Sequence, residues 1–375
     1  MPPEHPSPHI LRLLAAVAAV MILTSVEMTS TAGAAITVDG AARHVAAAPA
    51  RTTKKRVVKK APARKKVVSR KIVKKVRPRS RVVRRRVVRK RAPVNKAVVA
   101  PPRPTAAQIS AARSLTFAGL GAWADVYDWS PSVGSATFRV ADVELAAARG
   151  AQVLYIQTSR FNRAEDVLDM DVLRSIIVRA HQLGLRVVGW YLPTYVDVNV
   201  DLRRFSAMAA LGVDGIGVDI EDRTVTDVTT RNDRLVLEAA TLRALNPAMP
   251  MSAIVLPPVV TDVINTAYWP SFPWTRIAPF FDVWMPMGYW TNRTVASGWR
   301  DAGRYTAENI DRIRSWLGNP AAPVHVVGGL AADATVDEVN AMVAAANARN
   351  AIGGSLYDNA TSRADEYAAL APMRR

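Results

Sequence analysis

From Thr116 onward the chain alternates between two hydrophobic rhythms. Short apolar runs at 116–125, 152–157, 186–192, 213–222, 251–256, 282–289, 324–328 and 352–357 read as strands. Segments with apolar residues three and four apart, at 140–149, 171–183, 202–211, 231–245, 307–317, 336–346 and 363–370, read as helices. Gly184 and Gly212 each directly follow a helical segment, where glycine commonly ends a helix. Eight strands alternating with helices over about 260 residues match, in count and length, an α/β fold of the closed (β/α)8 TIM-barrel kind. The rival, an open doubly wound sheet, normally carries a Gly-rich phosphate loop after an early strand, and none is present.

The fourth run is the most informative. Read at period two, Ile216, Val218 and Ile220 share one face, and Gly215, Gly217, Asp219 and Glu221 share the other. In a barrel the aliphatic face meets the helices, and the small, acidic face turns inward. Its carboxylates then stand at the strand's C-terminal end, where such barrels keep their chemistry. Asp222, just beyond, reads as a surface cap. Other strand ends are rich in aromatics and acids: Trp123-Ala124-Asp125-Val126-Tyr127-Asp128, Trp190-Tyr191, Met287-Gly288-Tyr289-Trp290 and Tyr357-Asp358. Sugars ask for this mixture, with flat rings for pyranose C–H surfaces and acids for hydroxyls. The candidate binding residues are therefore Asp125, Tyr127, Asp128, Trp190, Tyr191, Met287, Trp290, Tyr357 and Asp358. Trp284 is expected to face the helices, opposite Met285, Met287 and Tyr289.

Charge divides the chain. The formal net charge is +19, yet residues 51–91 hold 22 Lys and Arg and no acid. Residues 105–375 hold 24 Arg, no Lys and 28 Asp and Glu, a net of −4. Basic clusters and valine pairs recur in the first segment, a composition expected to stay disordered. The chain thus reads as an export signal (1–34), a disordered basic N-terminal arm (35–104) and a barrel (105–375). The signal rests on Arg12, the apolar run from Leu13 to Leu23 and the Ala32-Gly33-Ala34 cleavage pattern. An uncleaved membrane anchor is the alternative, for which the run is short. For an exported protein, the arm's expected partner is an anionic cell-wall polymer or membrane surface. Nucleic acid is less favoured, because the arm has no aromatics to stack on bases. A solvated spacer is the bland alternative.

Several chemistries are excluded. The barrel has neither Cys nor Lys, so thiolate and Schiff-base nucleophiles are absent. The five His, three of them before the barrel, show no metal-type spacing, so no metal or cofactor is expected. His181 falls within a helical segment and His325 begins a buried strand, which disfavours a Ser-His-Asp triad. Carboxylate chemistry remains, and on a barrel that means glycoside hydrolysis first.

These residues carry a resemblance. Asp214-Gly215-Ile216-Gly217-Val218-Asp219-Ile220-Glu221 resembles the Asp-Gly-x-Asp-x-Asp-x-Glu motif of glycoside hydrolase family 18, the chitinases and related N-acetylglucosaminidases. Met287-Gly288-Tyr289 is similar to that family's sixth-strand Met-x-Tyr, and Gly353-Gly354-Ser355-Leu356 to the opening of its eighth strand. The resemblance implies Glu221 as general acid, Asp219 as the group that orients the substrate's N-acetyl nucleophile, and Tyr289 as its hydrogen-bond partner. It also implies that the charge of Asp219 raises the Glu221 pKa. Three positions depart: Gly217 replaces the middle Asp, Trp290 stands where an Asp usually follows the tyrosine, and Tyr357 or Asp358 replaces the eighth-strand tryptophan. A family 25 lysozyme-like arrangement, pairing Asp125 or Asp128 with Asp219 and Glu221, fits parts of the same pattern. The expected function is an exported glycoside hydrolase acting on an envelope or N-acetylhexosamine-containing glycan, tethered by its arm. The alternatives are a catalytically silent chitinase-like carbohydrate-binding barrel, or a scaffold for the arm.

Overall fold

A computed structural model describes residues 104–375. The expected signal and the basic arm, except for Pro104, lie outside the described residues. Among the described residues no helix is long and apolar enough to cross a membrane.

The chain enters through helix α1 (Ala106–Ser114), capped by Thr105, and then lays down eight parallel strands. These are β1 (Gly119–Ala124), β2 (Val153–Gln157), β3 (Arg186–Tyr191), β4 (Gly215–Ile220), β5 (Met251–Val255), β6 (Val283–Pro286), β7 (His325–Leu330) and β8 (Gly353–Tyr357). Around them run α2 (Val140–Ala148), α3 (Met170–Gln182), α4 (Val198–Ala209), α5 (Val228–Leu245), α6 (Ala302–Leu317), α7 (Val336–Ala348) and α8 (Ala364–Ala369). Hydrogen-bonded neighbours run β6-β5-β4-β3-β2-β1-β8-β7. Bridges pairing Trp284 with Val324 and Met287 with Val327 join β6 to β7 and close the ring. The (β/α)8 expectation is met.

Three helices start earlier than hydrophobic periodicity indicates. The side chains of Asp197, Asp227 and Asp301 accept backbone N–H groups in the first turns of α4, α5 and α6. These polar first turns carry no apolar rhythm. Helix α1 is pinned to the barrel base by Asp282, which is 3% exposed. Its carboxylate accepts from Arg113 Nε (2.8 Å), Arg243 Nη2 (2.7 Å), Ser110 Oγ (3.1 Å) and the Met251 N–H (3.0 Å).

The barrel interior holds a cluster of rings among aliphatic side chains such as Val188, Ile254 and Met285. Trp123 stacks on Tyr155 at 4.4 Å between centroids and 12° between planes, and Trp190 meets Trp123 edge-on at 5.9 Å. Gly121 is required beneath them, because a Cβ there would lie 2.7 Å from the Tyr155 ring. Trp123 Nε1 donates to Ser355 Oγ (2.8 Å), which sits 3.1 Å from His325 Nε2, and His325 Nδ1 lies 2.8 Å from the Phe117 carbonyl. Burial pushes His325 down to about 4, so the ring is neutral. It donates from Nδ1 and accepts the Ser355 hydroxyl. As expected, His325 is structural, and Trp284 faces outward against Trp274 and Phe281.

Candidate active site

Strand β4 ends at the mouth with Asp219 and Glu221, both on the inward face. Asp219 is 5% exposed, and among the described residues its Oδ1 has no hydrogen-bond partner. Burial, and then the charge of Glu221, push its pKa well above the carboxylate range. Glu221 is half-buried, and among the described residues no donor reaches its carboxylate. Burial and then the charge of Asp222 push Glu221 up to about 7. The sequence led us to expect Asp219 as the cause of this tuning; burial and the charge of Asp222 produce it instead, and the Asp219–Glu221 repulsion shows as a raised Asp219. Asp222 does cap a turn, accepting the Thr224 N–H at 2.8 Å. Asp214, the first residue of the motif, lies at the other end of β4. It is held by His181 Nε2 (2.9 Å) and the Val187 N–H (2.7 Å), a structural position.

The vacancy at Gly217 has a packing cause. Gly217 pairs with Trp190 on β3 and Ser252 on β5 in one inward layer. A Cβ there would lie 3.0 Å from both Trp190 Cβ and Ile254 Cδ1. Any side chain there would have to push Trp190 and Ile254 back by a few tenths of an ångström. Below Asp219, Trp190 Nε1 and Ser252 Oγ are also buried without partners.

A second carboxylate group forms where β1 meets β8. Tyr357 donates to Asp125 Oδ2 (2.8 Å), and Asp125 Oδ1 accepts the N–H groups of Tyr127 (2.7 Å) and Asp128 (3.3 Å). Asp128 Oδ2 accepts the Asp125 N–H in return, closing a capping box. Burial raises Asp125 despite these donors and the nearby Arg160. Asp358, bonded through Oδ1 to Thr361, is pushed up to about 6 by burial and the Asp125 charge. Carboxylate oxygens of Asp125, Asp128 and Asp358 lie within 4.8 Å of one another, and this is where a hard cation could be held. The protein's own donors already engage Asp125 and Asp358.

Tyr289 joins the two groups. Burial and then the charges of Glu221, Asp219, Asp358 and Asp125 raise its pKa, so both acidic groups lie within electrostatic reach of it. Its ring lies 5.9 Å from Tyr357, which is 6.1 Å from Trp123. Met287 lines the inner wall on the same face as Met285, and Tyr127 sits at the rim under Arg160, 4.7 Å from its ring centroid.

Three expected binding residues do not reach the mouth. Tyr191 points outward: its hydroxyl donates to Asp201 Oδ1 (2.7 Å) on α4 and accepts from Arg204 Nη1 (2.8 Å), and its ring packs on Phe205. Period two already puts it opposite Trp190. Trp290 is fully buried, packed where a Cβ on Gly329 would meet its ring at 2.9 Å. It therefore offers no face to a ligand. Trp190 does face inward but is 5% exposed, beneath the mouth rather than in it. Sequence reasoning missed Trp123 as the ring under the site, and the Tyr268-Trp269 pair in the loop after β5. Adjacent aromatics outside any apolar period were the available signal.

No protein-family model matches the chain, and no curated protein matches it. Among solved structures, the barrel is similar to the glycoside hydrolase family 18 chitinase of Cycas revoluta in complex with (GlcNAc)3. The TM-score is 0.52 and the identity 10%, covering 68% of this chain and 99% of that one. It is similar too to the spore cortex-lytic enzyme SleL of Bacillus cereus, with a TM-score of 0.52 and 8% identity, covering 69% and 74%. The barrel is glycoside-hydrolase-like in fold, and divergent. At these identities the likeness is one of fold.

Proposed function

We propose that the chain is an exported glycoside hydrolase acting on an envelope or N-acetylhexosamine-containing glycan. The observation that carries this reading is Glu221. Its carboxyl stands at the C-terminal end of β4, is raised to about 7, and meets no donor among the described residues. It keeps a proton near neutral pH and can deliver it to a glycosidic oxygen. The C–O bond then breaks toward the leaving sugar as the acetamide oxygen bonds to the anomeric carbon. Water, giving a proton back to the Glu221 carboxylate, displaces that oxygen to complete hydrolysis. Asp219, with Oδ1 unengaged, accepts the acetamide N–H and orients the acetamide oxygen toward the anomeric carbon. Tyr289 donates to the same acetamide. The Asp125–Tyr357 pair and Asp358 hold sugar hydroxyls on the opposite wall, over Trp123. The signal at 1–34 exports the protein, and the cationic arm at 51–91 holds it on anionic envelope polymers.

A second reading, a silent carbohydrate-binding barrel, draws on Gly217. With Trp190 and Ile254 against that position, Asp219 has no partner to share a proton. One experiment separates the two. Full-length wild type and Glu221→Gln are assayed for new reducing ends on peptidoglycan and N-acetylglucosamine oligomers. A fall of about a hundredfold or more supports the acid. Undiminished activity sinks the assignment of Glu221, and glycan binding without cleavage in either protein selects the silent barrel.

A further inference from the structure

Two guanidinium groups beside Glu221 have aromatic platforms but, among the described residues, no carboxylate in ion-pair contact; Asp222 acts on Arg231 only at longer range. Arg223, two residues after Glu221, lies 3.8 Å from the Tyr268 ring centroid, and Arg231, in the first turn of α5, lies 4.2 Å from that of Trp269. Among the described residues neither forms an ion pair with any carboxylate. Arg223 is exposed and donates from Nη1 to the Tyr268 carbonyl (3.4 Å). Arg231 is 3% exposed; its Nη1 donates to the Val225 carbonyl (3.0 Å), and its Nε has no partner. Trp269 is fixed in turn by its Nε1 donating to Asn232 Oδ1 (2.8 Å).

The two cations feel one another. Burial and then the charge of Arg223 lower the Arg231 pKa, against the pull of Asp222. Holding two like charges together, one of them buried with an unfilled donor, is unfavourable, and Asp222 offsets this only in part, since the Arg231 pKa stays lowered; an anion bound to both would relieve it. The platform also adjoins the acid, since the charge of Glu221 is second only to burial in raising Tyr268. Planar guanidinium forks match carboxylate and phosphate oxygens. We propose that Arg223 and Arg231 form an oxyanion subsite beside Glu221, so that the glycan carries a carboxylate or phosphate on a sugar adjoining the cleaved bond. This rests on the hydrolase reading and narrows its substrate.

The test compares full-length wild type with Arg223→Ala on two substrate pairs. One is a uronic-acid oligomer and its carboxyl-reduced form; the other is a 6-phosphorylated N-acetylhexosamine oligomer and its dephosphorylated form. Both kcat/KM and calorimetric affinity are read, and the basic arm contributes equally to the two proteins. Wild type should favour one anionic member over its neutral partner by ~10–100-fold, the factor for a charge-assisted hydrogen bond. The Arg223→Ala variant should lower that ratio by ~10-fold or more, to what the arm and Arg231 alone give, mainly through KM. The pair that shows the preference assigns carboxylate or phosphate. A wild-type ratio near one in both pairs, or a ratio that Arg223→Ala leaves unchanged, overturns the subsite. Anion-selective binding that Arg223→Ala lowers in this way, without cleavage by either protein, refutes the hydrolase reading and leaves the subsite standing.

Discussion

The Glu221 carboxyl carries its proton up to about pH 7 in the folded protein, against 4.5 for an ordinary glutamate. Between those values the folded state binds more protons than the unfolded chain. Stability therefore falls as pH rises through that window and stays lower above it. At ~1.36 kcal/mol per tenfold change in proton affinity, the difference approaches ~3 kcal/mol. Partial exposure of the side chain screens some of this, leaving about 2–3 kcal/mol. Glutamine has nearly the same shape and no charge, so Glu221→Gln escapes the penalty. It also removes the charge that helps to raise Asp219, which acts in the same direction. Urea denaturation of the full-length proteins, followed by tryptophan fluorescence, measures the effect. At about pH 5 the two should agree within ~1 kcal/mol, and at about pH 8 the variant should be the more stable by ~2–3 kcal/mol. Equal losses of stability between the two pH values would show that Glu221 ionises freely, and the general-acid argument would fall with it.

Other expectations follow from the same geometry. Asp222→Asn removes a charge that raises Glu221, so the alkaline limb of kcat/KM should move to lower pH; an unmoved limb refutes that coupling. Gly217→Asp crowds Trp190 and Ile254, and should lower stability by ~1–3 kcal/mol in urea; an unchanged midpoint would mean that the interior has room. Asp282→Ala leaves Arg113 and Arg243 without their shared anion, and should cost ~3–5 kcal/mol by the same measurement. Deleting residues 51–91 should abolish salt-sensitive retention on a polyanion column while cleavage of soluble oligomers persists; loss of both would tie the arm to catalysis.

Much of the fold could be read from hydrophobic rhythm, because each strand must bury one face under helices and the other inside the ring. The expected strand ranges overlap every observed strand. Helix starts were harder to see. The first turns after Asp197, Asp227 and Asp301 are polar, and their order comes from caps rather than from burial. Tyr191 shows that a local rule can outrank a compositional one. Its aromatic character suggested sugar binding, but alternation places it with α4, where Asp201 and Arg204 engage its hydroxyl. Trp290 lies beyond the strand, where alternation stops, and only packing against Gly329 decides its burial.

By itself, the sequence determined the (β/α)8 architecture, the division into cationic and acidic parts, and the shared face of Asp219 and Glu221, since each depends only on composition or short-range periodicity. Closure of the ring decided what those carboxylates meet. It brings Asp125 to Tyr357 and Asp358, sets Tyr289 between the two acidic walls, and fills the Gly217 position from β3 and β5. It also lays Arg223 and Arg231 on Tyr268 and Trp269. Contacts between strands and loops distant in sequence depend on register and packing around the barrel, and no local pattern in the chain encodes them.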